Sequence, residues 1–245
     1  MGFLAHGELG LAERIAELDW RRIAEELDGY GVATTGLPLL TAEECAALAA
    51  LYAQEEGFRS RVVMARHGYG QGEYRYFADP LPPLVAALRE GLYPRLVPTA
   101  NRWAGLLGEA SRFPETHAEF RAACHAAGQR RPTPLLLRYG AGDYNRLHQD
   151  LYGEIAFPLQ VVLLLSVPGR DFTGGEFVMT EQRPRMQSRA EVVALSPGEA
   201  AIFAVRHRPV AGARGGHGRA VLRHGVSRIH WGERTTLGII FHDAT

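Results

Sequence analysis

Arg130-Arg131-Pro132-Thr133-Pro134 splits this sequence into two textures, and the split decides the fold. Two closely spaced prolines end whatever regular element precedes them. Downstream, short runs rich in branched and aromatic residues recur at 135–139, 159–166, 176–180, 192–195, 200–205, 220–229 and 235–242. Turn signals separate them, among them Pro168-Gly169, Gly174-Gly175, Ser196-Pro197-Gly198 and Gly215-Gly216. Many short strands at roughly even spacing predict an antiparallel barrel or jelly roll. Upstream, residues 8–28 read as an amphipathic helix, with Leu11, Ile15, Leu18, Ile23 and Leu27 near helical spacing. Tyr30 to Leu40 reads as a strand. Thr41-Ala42-Glu43-Glu44 has the form of a capping box and opens a helix through Tyr52. Further helices are expected at 84–92, 99–107 and 116–127. The prediction is an α+β fold in one domain, 1–245: a double-stranded β-helix (jelly-roll) core over 135–245, braced by helices mainly from 1–134.

Composition narrows the class without naming a chemistry. The 245 residues, 46% hydrophobic and 22% charged, suffice for one sizeable core. Basic and acidic residues balance at 27 each, and every basic residue is arginine. Such a bias reflects coding-DNA composition, so global charge nominates no partner. Two cysteines, Cys45 and Cys124, are too few for a disulfide framework and fit a reducing compartment. Met1-Gly2-Phe3-Leu4-Ala5-His6 has no basic flank with a long apolar run, and position 6 is not the Ser or Thr of an N-myristoylation signal. With no window of 18 apolar residues either, the expectation is a soluble, cytoplasmic protein without a membrane partner.

The chemistry is concentrated in Tyr139-Gly140-Ala141-Gly142-Asp143-Tyr144-Asn145-Arg146-Leu147-His148-Gln149-Asp150. On extended backbone, His148 and Asp150 point to one side with α-carbons roughly 6.6 Å apart. Two ligands can converge on one ion from there. A histidine from a distant strand would complete a two-histidine, one-carboxylate triad, which holds iron(II) on one side and leaves positions open for a bidentate co-substrate and O2. His224, within Arg223-His224-Gly225-Val226-Ser227, is the choice. Ten residues on, Arg234 opens the last strand, where Arg234, Thr236, Gly238 and Ile240 share a face. Its planar fork suits the distal carboxylate of 2-oxoglutarate. Tyr139 offers a hydroxyl from a neighbouring strand. His217, with Arg228 eleven residues on, is the rival ligand, but it stands in the glycine-rich Gly212-Ala213-Arg214-Gly215-Gly216-His217-Gly218. His207, His230 and His242 read as exposed or structural, with His242 on the face of Arg234 and so able to border the pocket.

Through Tyr139, His148-Gln149-Asp150, His224 and Arg234, residues 135–243 resemble the iron(II)- and 2-oxoglutarate-dependent double-stranded β-helix dioxygenases. More narrowly, His148-Gln149-Asp150-Leu151-Tyr152-Gly153-Glu154, Phe172-Thr173-Gly174-Gly175-Glu176-Phe177 and Gly238-Ile239-Ile240-Phe241-His242-Asp243 resemble a bacterial family described as oxygenases for oxidative demethylation of damaged DNA. Glu73-Tyr74-Arg75-Tyr76-Phe77 and Pro80-Leu81-Pro82 are similar to it too. The resemblance implies hydroxylation or oxidative demethylation of a substrate, with alkylated DNA bases as the expectation.

Candidate substrate contacts are Tyr74, Tyr76, Tyr144 and Arg146, with Tyr69 and Phe77 beside the first pair. These aromatics would stack a flipped base, line a small apolar substrate or simply pack the core. Arg206, Arg208, Arg214, Arg219, Arg223, Arg228 and Arg234 face a single acid, Glu233, over 206–234. That excess reads either as a solvated surface or as a phosphate-binding groove. Two other functions compete with DNA repair: oxygenation of a small molecule or amino acid, and a non-catalytic metal-binding barrel. A zinc hydrolase is disfavoured because no general base accompanies the triad.

Overall fold

The computed structural model describes residues 9–212 and 215–245, so the N-terminal reading of Met1–His6 and the place of Arg214 lie outside the described residues. The helix expected over 8–28 is two helices, α1 (Leu11–Ala16) and α2 (Trp20–Tyr30). Asp19 causes the restart: its carboxylate accepts the Arg22 N–H at 2.9 Å, capping α2 and turning Ile23 and Leu27 inward. α2 ends on Gly31 in the left-handed conformation, and the strand expected over 30–40 shrinks to β1 (Val32–Thr34). The Thr41–Glu44 capping box forms and opens α3 (Ala42–Ala50).

The helices expected at 84–92 and 99–107 are one, α4 (Pro83–Leu106), running through Pro94 and Pro98. Those prolines stand four apart on an exposed face, so the carbonyls they leave without donors face water. The opposite stripe, Leu88, Leu92, Leu96 and Trp103, is buried and holds the helix together. α5 (His117–Ala126) starts on a second capping box, Thr116 with Glu119.

Three strands of the first half lie outside the expected runs: β2 (Phe58–Val63), β3 (Gly70–Gln71) and β4 (Glu73–Phe77), although Glu73-Tyr74-Arg75-Tyr76 does alternate polar with aromatic residues. β2, with Arg59 and Arg61, is a sheet edge, where charge rather than apolar alternation is expected. The second half supplies β5 (Leu135–Tyr139), β6 (Tyr144–His148), β7 (Leu159–Leu164), β8 (Phe172–Gly174), β9 (Phe177–Gln182), β10 (Arg189–Val193), β11 (Ala200–Ala204), β12 (His207–Ala211), β13 (His217–Val226), β14 (Ile229–Gly232) and β15 (Arg234–Ile239). β8 and β12 fall outside the expected runs, β10 starts upstream of the expected 192–195 and ends within it, and the run 220–229 is β13 with Ile229 starting a separate strand. β15 stops short of 242 because the carbonyls of Ile240 and Phe241 accept from the Arg89 guanidinium instead of a neighbouring strand.

All these strands pair antiparallel. One sheet has the order β1-β11-β7-β15-β5-β4-β2; the other is β10-β9-β13-β6-β3, with β12 on β13. β8 and β14 form a separate ribbon. Phe203 on β11 meets both Phe177 on β9 and His224 on β13, at ring separations of 4.9 and 4.6 Å, so side chains of the two sheets interlock. β15 divides as its alternation predicts. Leu237 and Ile239 join the core beneath the helices, whereas Arg234, Thr236 and Gly238 line a cavity between the sheets. Among the described residues, no helix is long and apolar enough to cross a membrane.

Candidate metal centre

On β6 and β13, His148 stands opposite His224, but Val226 faces Asn145 rather than Arg146. β6 therefore carries one extra residue, a bulge that reverses its alternation. Asn145 and His148 both reach the cavity, while Tyr144 and Arg146 do not line it. Gly225 permits this approach: a Cβ there would lie 2.6 Å from the Asn145 carbonyl oxygen.

β6 ends at His148, so Asp150 reaches the site from irregular chain rather than from the extended strand that the spacing implied. Its Oδ1 lies 3.4 Å from His148 Nε2 and its Oδ2 3.2 Å from His224 Nε2. One donor atom from each of the three residues lies within 4.8 Å of the others. Around them is a supporting shell. The Tyr152 hydroxyl donates to Asp150 Oδ1 at 2.8 Å, and the Gln160 amide donates to Oδ2 at 3.0 Å. His148 Nδ1–H donates to the Arg146 carbonyl at 2.7 Å, which leaves Nε2 with its lone pair toward the centre. His224 packs against Phe203 and Phe177.

Burial alone would raise the Asp150 carboxyl, but the hydrogen bonds and charges of His148 and His224 outweigh it and hold the group well below the usual carboxylate range. Burial, then the neighbouring His148 charge, lowers His224. His148 moves the other way, because Asp150 outweighs the effect of its burial. The donor set is thus a carboxylate with two imidazoles of unequal proton affinity, and a cation that takes the place of any proton bound there fits it.

Arg234 begins β15 in register with Tyr139 and is 3% exposed. Its Nη1 is buried without a partner, and among the described residues no hydrogen bond or ion pair reaches its guanidinium. Burial pushes its pKa down to about 10. A buried, unpaired cation is costly, and a ligand carboxylate would relieve it. Tyr139 is fully buried and its hydroxyl accepts from the Asn145 amide at 3.3 Å. A cavity of about 260 Å³ connects Arg234 and Tyr139 with His148, Asp150 and His224.

Of the expected substrate contacts, Tyr74 lines this cavity and Tyr76 does not. The Tyr76 hydroxyl donates to that of Tyr152 at 3.0 Å, one step behind Asp150. His217 is exposed at the far end of β13, in strand rather than free loop, and away from the cavity. His207 is half-buried and His230 exposed on their strands; His242 is buried beside Tyr152, at a ring separation of 6.1 Å, and does not line the cavity. The arginine-rich tract is no single groove. Arg208 is buried against Glu181 at 2.6 Å and Arg219 pairs with Glu109 at 3.0 Å, leaving Arg206, Arg223 and Arg228 exposed. Sequence reasoning missed Asn145, Tyr152 and Gln160. Gln160 did carry a signal as the lone polar residue in the apolar run Leu159–Leu164.

An open two-histidine, one-carboxylate centre in a double-stranded β-helix, with a buried arginine in the same cavity, defines an iron(II)- and 2-oxoglutarate-dependent oxygenase. Residues 72–244 match the model of a family described as oxygenases catalysing oxidative methylation of damaged DNA, and the chain belongs to that family. Two Mycobacterium tuberculosis strains each hold an uncharacterized protein 50% identical to it over 168 residues, covering 69% of this chain and 72% of theirs. Among solved structures, a Pseudomonas putida prolyl-4-hydroxylase is similar at 15% identity and TM-score 0.54, over 92% of this chain and all of its own. A Burkholderia pseudomallei oxidoreductase of the 2-oxoglutarate–iron(II) oxygenase family gives 19% identity and TM-score 0.51, over 94% of each chain. These structural likenesses concern the fold.

Proposed function

We propose that His148, Asp150 and His224 hold iron(II), that Arg234 and Tyr139 fix the distal carboxylate of 2-oxoglutarate, and that the substrate is an alkylated nucleic-acid base. The observation that carries this is the unpaired Arg234 guanidinium in the cavity of the triad. With its co-substrate and O2, bound iron couples the decarboxylation of 2-oxoglutarate to succinate with insertion of one oxygen atom into a substrate C–H bond. Tyr152 and Gln160 orient the carboxylate ligand, Phe177 and Phe203 keep water from His224, and Leu135, Leu137 and Val162 give the cavity dry walls. Hydroxylation of an N-methyl group gives N–CH2OH, which releases formaldehyde and leaves N–H; oxidation of a methylated base therefore removes the methyl. The base reading draws on the family description and on the rim. Tyr69, half exposed at the cavity, stacks on His67 with ring centres 5.3 Å apart, and Arg66 and Arg146 are exposed nearby. Flat aromatic surface beside cations suits a single-stranded nucleic acid. A cytoplasmic setting suits the buried, free Cys45 and Cys124.

Anaerobic addition of iron(II) and 2-oxoglutarate should give a visible metal-to-ligand charge-transfer band that disappears in His224→Ala and survives in His217→Ala. The reverse pattern would overturn the ligand set. Methylated single-stranded DNA should then release formaldehyde and succinate, and unmethylated DNA should not. Background formaldehyde removes the repair reading, and turnover of a small molecule or amino acid alone replaces it. Iron binding without any 2-oxoglutarate band favours a non-catalytic barrel.

A further inference from the structure

A second cavity, of about 330 Å³, opens to solvent beside β8, and Arg234 stands between it and the first. Along β7, Gln160 and Val162 line the first cavity, and Leu164, the next residue on the same face, lines the second. Arg234 lines both. Its guanidinium carbon lies 5.9 Å from the ring centre of Tyr139, a wall of the first cavity, and 5.9 Å from that of Phe172, a wall of the second. The second volume falls in the range of small-molecule sites, roughly 300–1,000 Å³.

Its chemistry is simple. Leu164, Pro168, Phe172 and Leu195 give apolar walls, and the ionisable groups are Arg234 and Glu176. Glu176 is exposed and its carboxylate is held by the Ser227 hydroxyl, so it leaves the guanidinium unpaired. The remaining interior therefore presents one buried cation and hydrocarbon, while Glu176 disfavours a ligand carrying a second negative charge.

We propose that this second cavity binds a monocarboxylate with an apolar tail, a medium-chain aliphatic acid in its simplest form, with the head on Arg234 and the tail along Leu164, Phe172 and Leu195. The site stands on the cavity itself. Its consequence rests on the reading of Arg234 as the 2-oxoglutarate anchor: one buried positive charge neutralises one carboxylate, and a second brought to the same guanidinium meets the charge of the first, so the acid competes with the co-substrate.

Octanoate is the probe, titrated into metal-free protein by calorimetry. Saturable binding is expected for octanoate and none for 1-octanol at equal concentration. Binding should be lost in Thr173→Trp and in Ala194→Trp, two exposed wall positions where an indole fills the cavity; the variant that keeps the wild-type thermal midpoint decides. With iron(II) present anaerobically, octanoate at its own Kd should raise the 2-oxoglutarate concentration for half-maximal charge-transfer absorbance about twofold. No saturable binding, equal binding of octanol, or octanoate binding that survives both tryptophans overturns the proposal, the last because it puts the acid in the first cavity. Absence of any 2-oxoglutarate band instead sinks the catalytic reading, and the calorimetric result still decides the site.

Discussion

Asp150 shows how its neighbours hold one side chain ready for the role proposed for it, that of a metal ligand. Two imidazoles, a phenol and an amide converge on its two oxygens, and each holds it in one rotamer. Tyr152→Phe should therefore weaken iron(II) binding roughly 10–100-fold while leaving the fold intact, measured by anaerobic titration. Tyr76→Phe, one hydroxyl farther out, should do less. Wild-type affinity in Tyr152→Phe would mean that the hydroxyl does not orient the ligand. The ligand candidates themselves were legible as residue types at meaningful spacing. Their support was only half legible: Gln160 stood out as polar in an apolar run, whereas nothing in sequence distinguishes Tyr152 from other tyrosines.

At the scale of elements, the β6 bulge decides which residues see the cavity. Simple alternation from His148 assigns Tyr144 and Arg146 to its face, and the extra residue hands that face to Asn145. The close strand approach at Gly225 is needed for this register. Gly225→Ala is expected to push β13 from β6 and lose at least tenfold in iron affinity, with a smaller loss in thermal midpoint; unchanged affinity would show that the strands yield at no cost to the triad. α4 teaches a related lesson. Local rules end a helix at Pro94 or Pro98, yet a buried stripe from Leu88 to Trp103 carries it through because both prolines face water.

For the whole molecule, Arg234 is a buried charge that the proposed function explains and the ligand-free fold bears as a cost. Arg234→Met should raise the stability of the ligand-free protein by about 1–3 kcal/mol, since the unpaired cation is replaced by hydrocarbon of similar reach, and should abolish stabilisation by 2-oxoglutarate with iron(II). Denaturant unfolding with and without ligands reads both; a destabilised ligand-free variant would mean the guanidinium already has its partner. The closing stretch of the chain sets the pH response. His117 donates Nε2–H to the Phe241 carbonyl at 2.9 Å, and burial, followed by the Arg89 charge, lowers its pKa to about 4. The same two causes lower His242 to about 4. Unfolded chain takes up these protons near pH 6.5 and folded chain refuses them until about pH 4. Stability should accordingly be full above that window and fall through it by up to about 1.4 kcal/mol per pH unit for each histidine. His117→Gln should flatten the slope by one proton; an unaltered slope would assign the loss to other groups. By itself, the sequence determined the β-rich second half, the inward face of β15 and the candidate triad, because period-two alternation and residue chemistry are local properties. Tertiary structure alone decided the bulge, the passage of α4 through its prolines, the shell around Asp150 and the isolation of Arg234. Each of these depends on which groups meet across tens of residues and which of them are cut off from water.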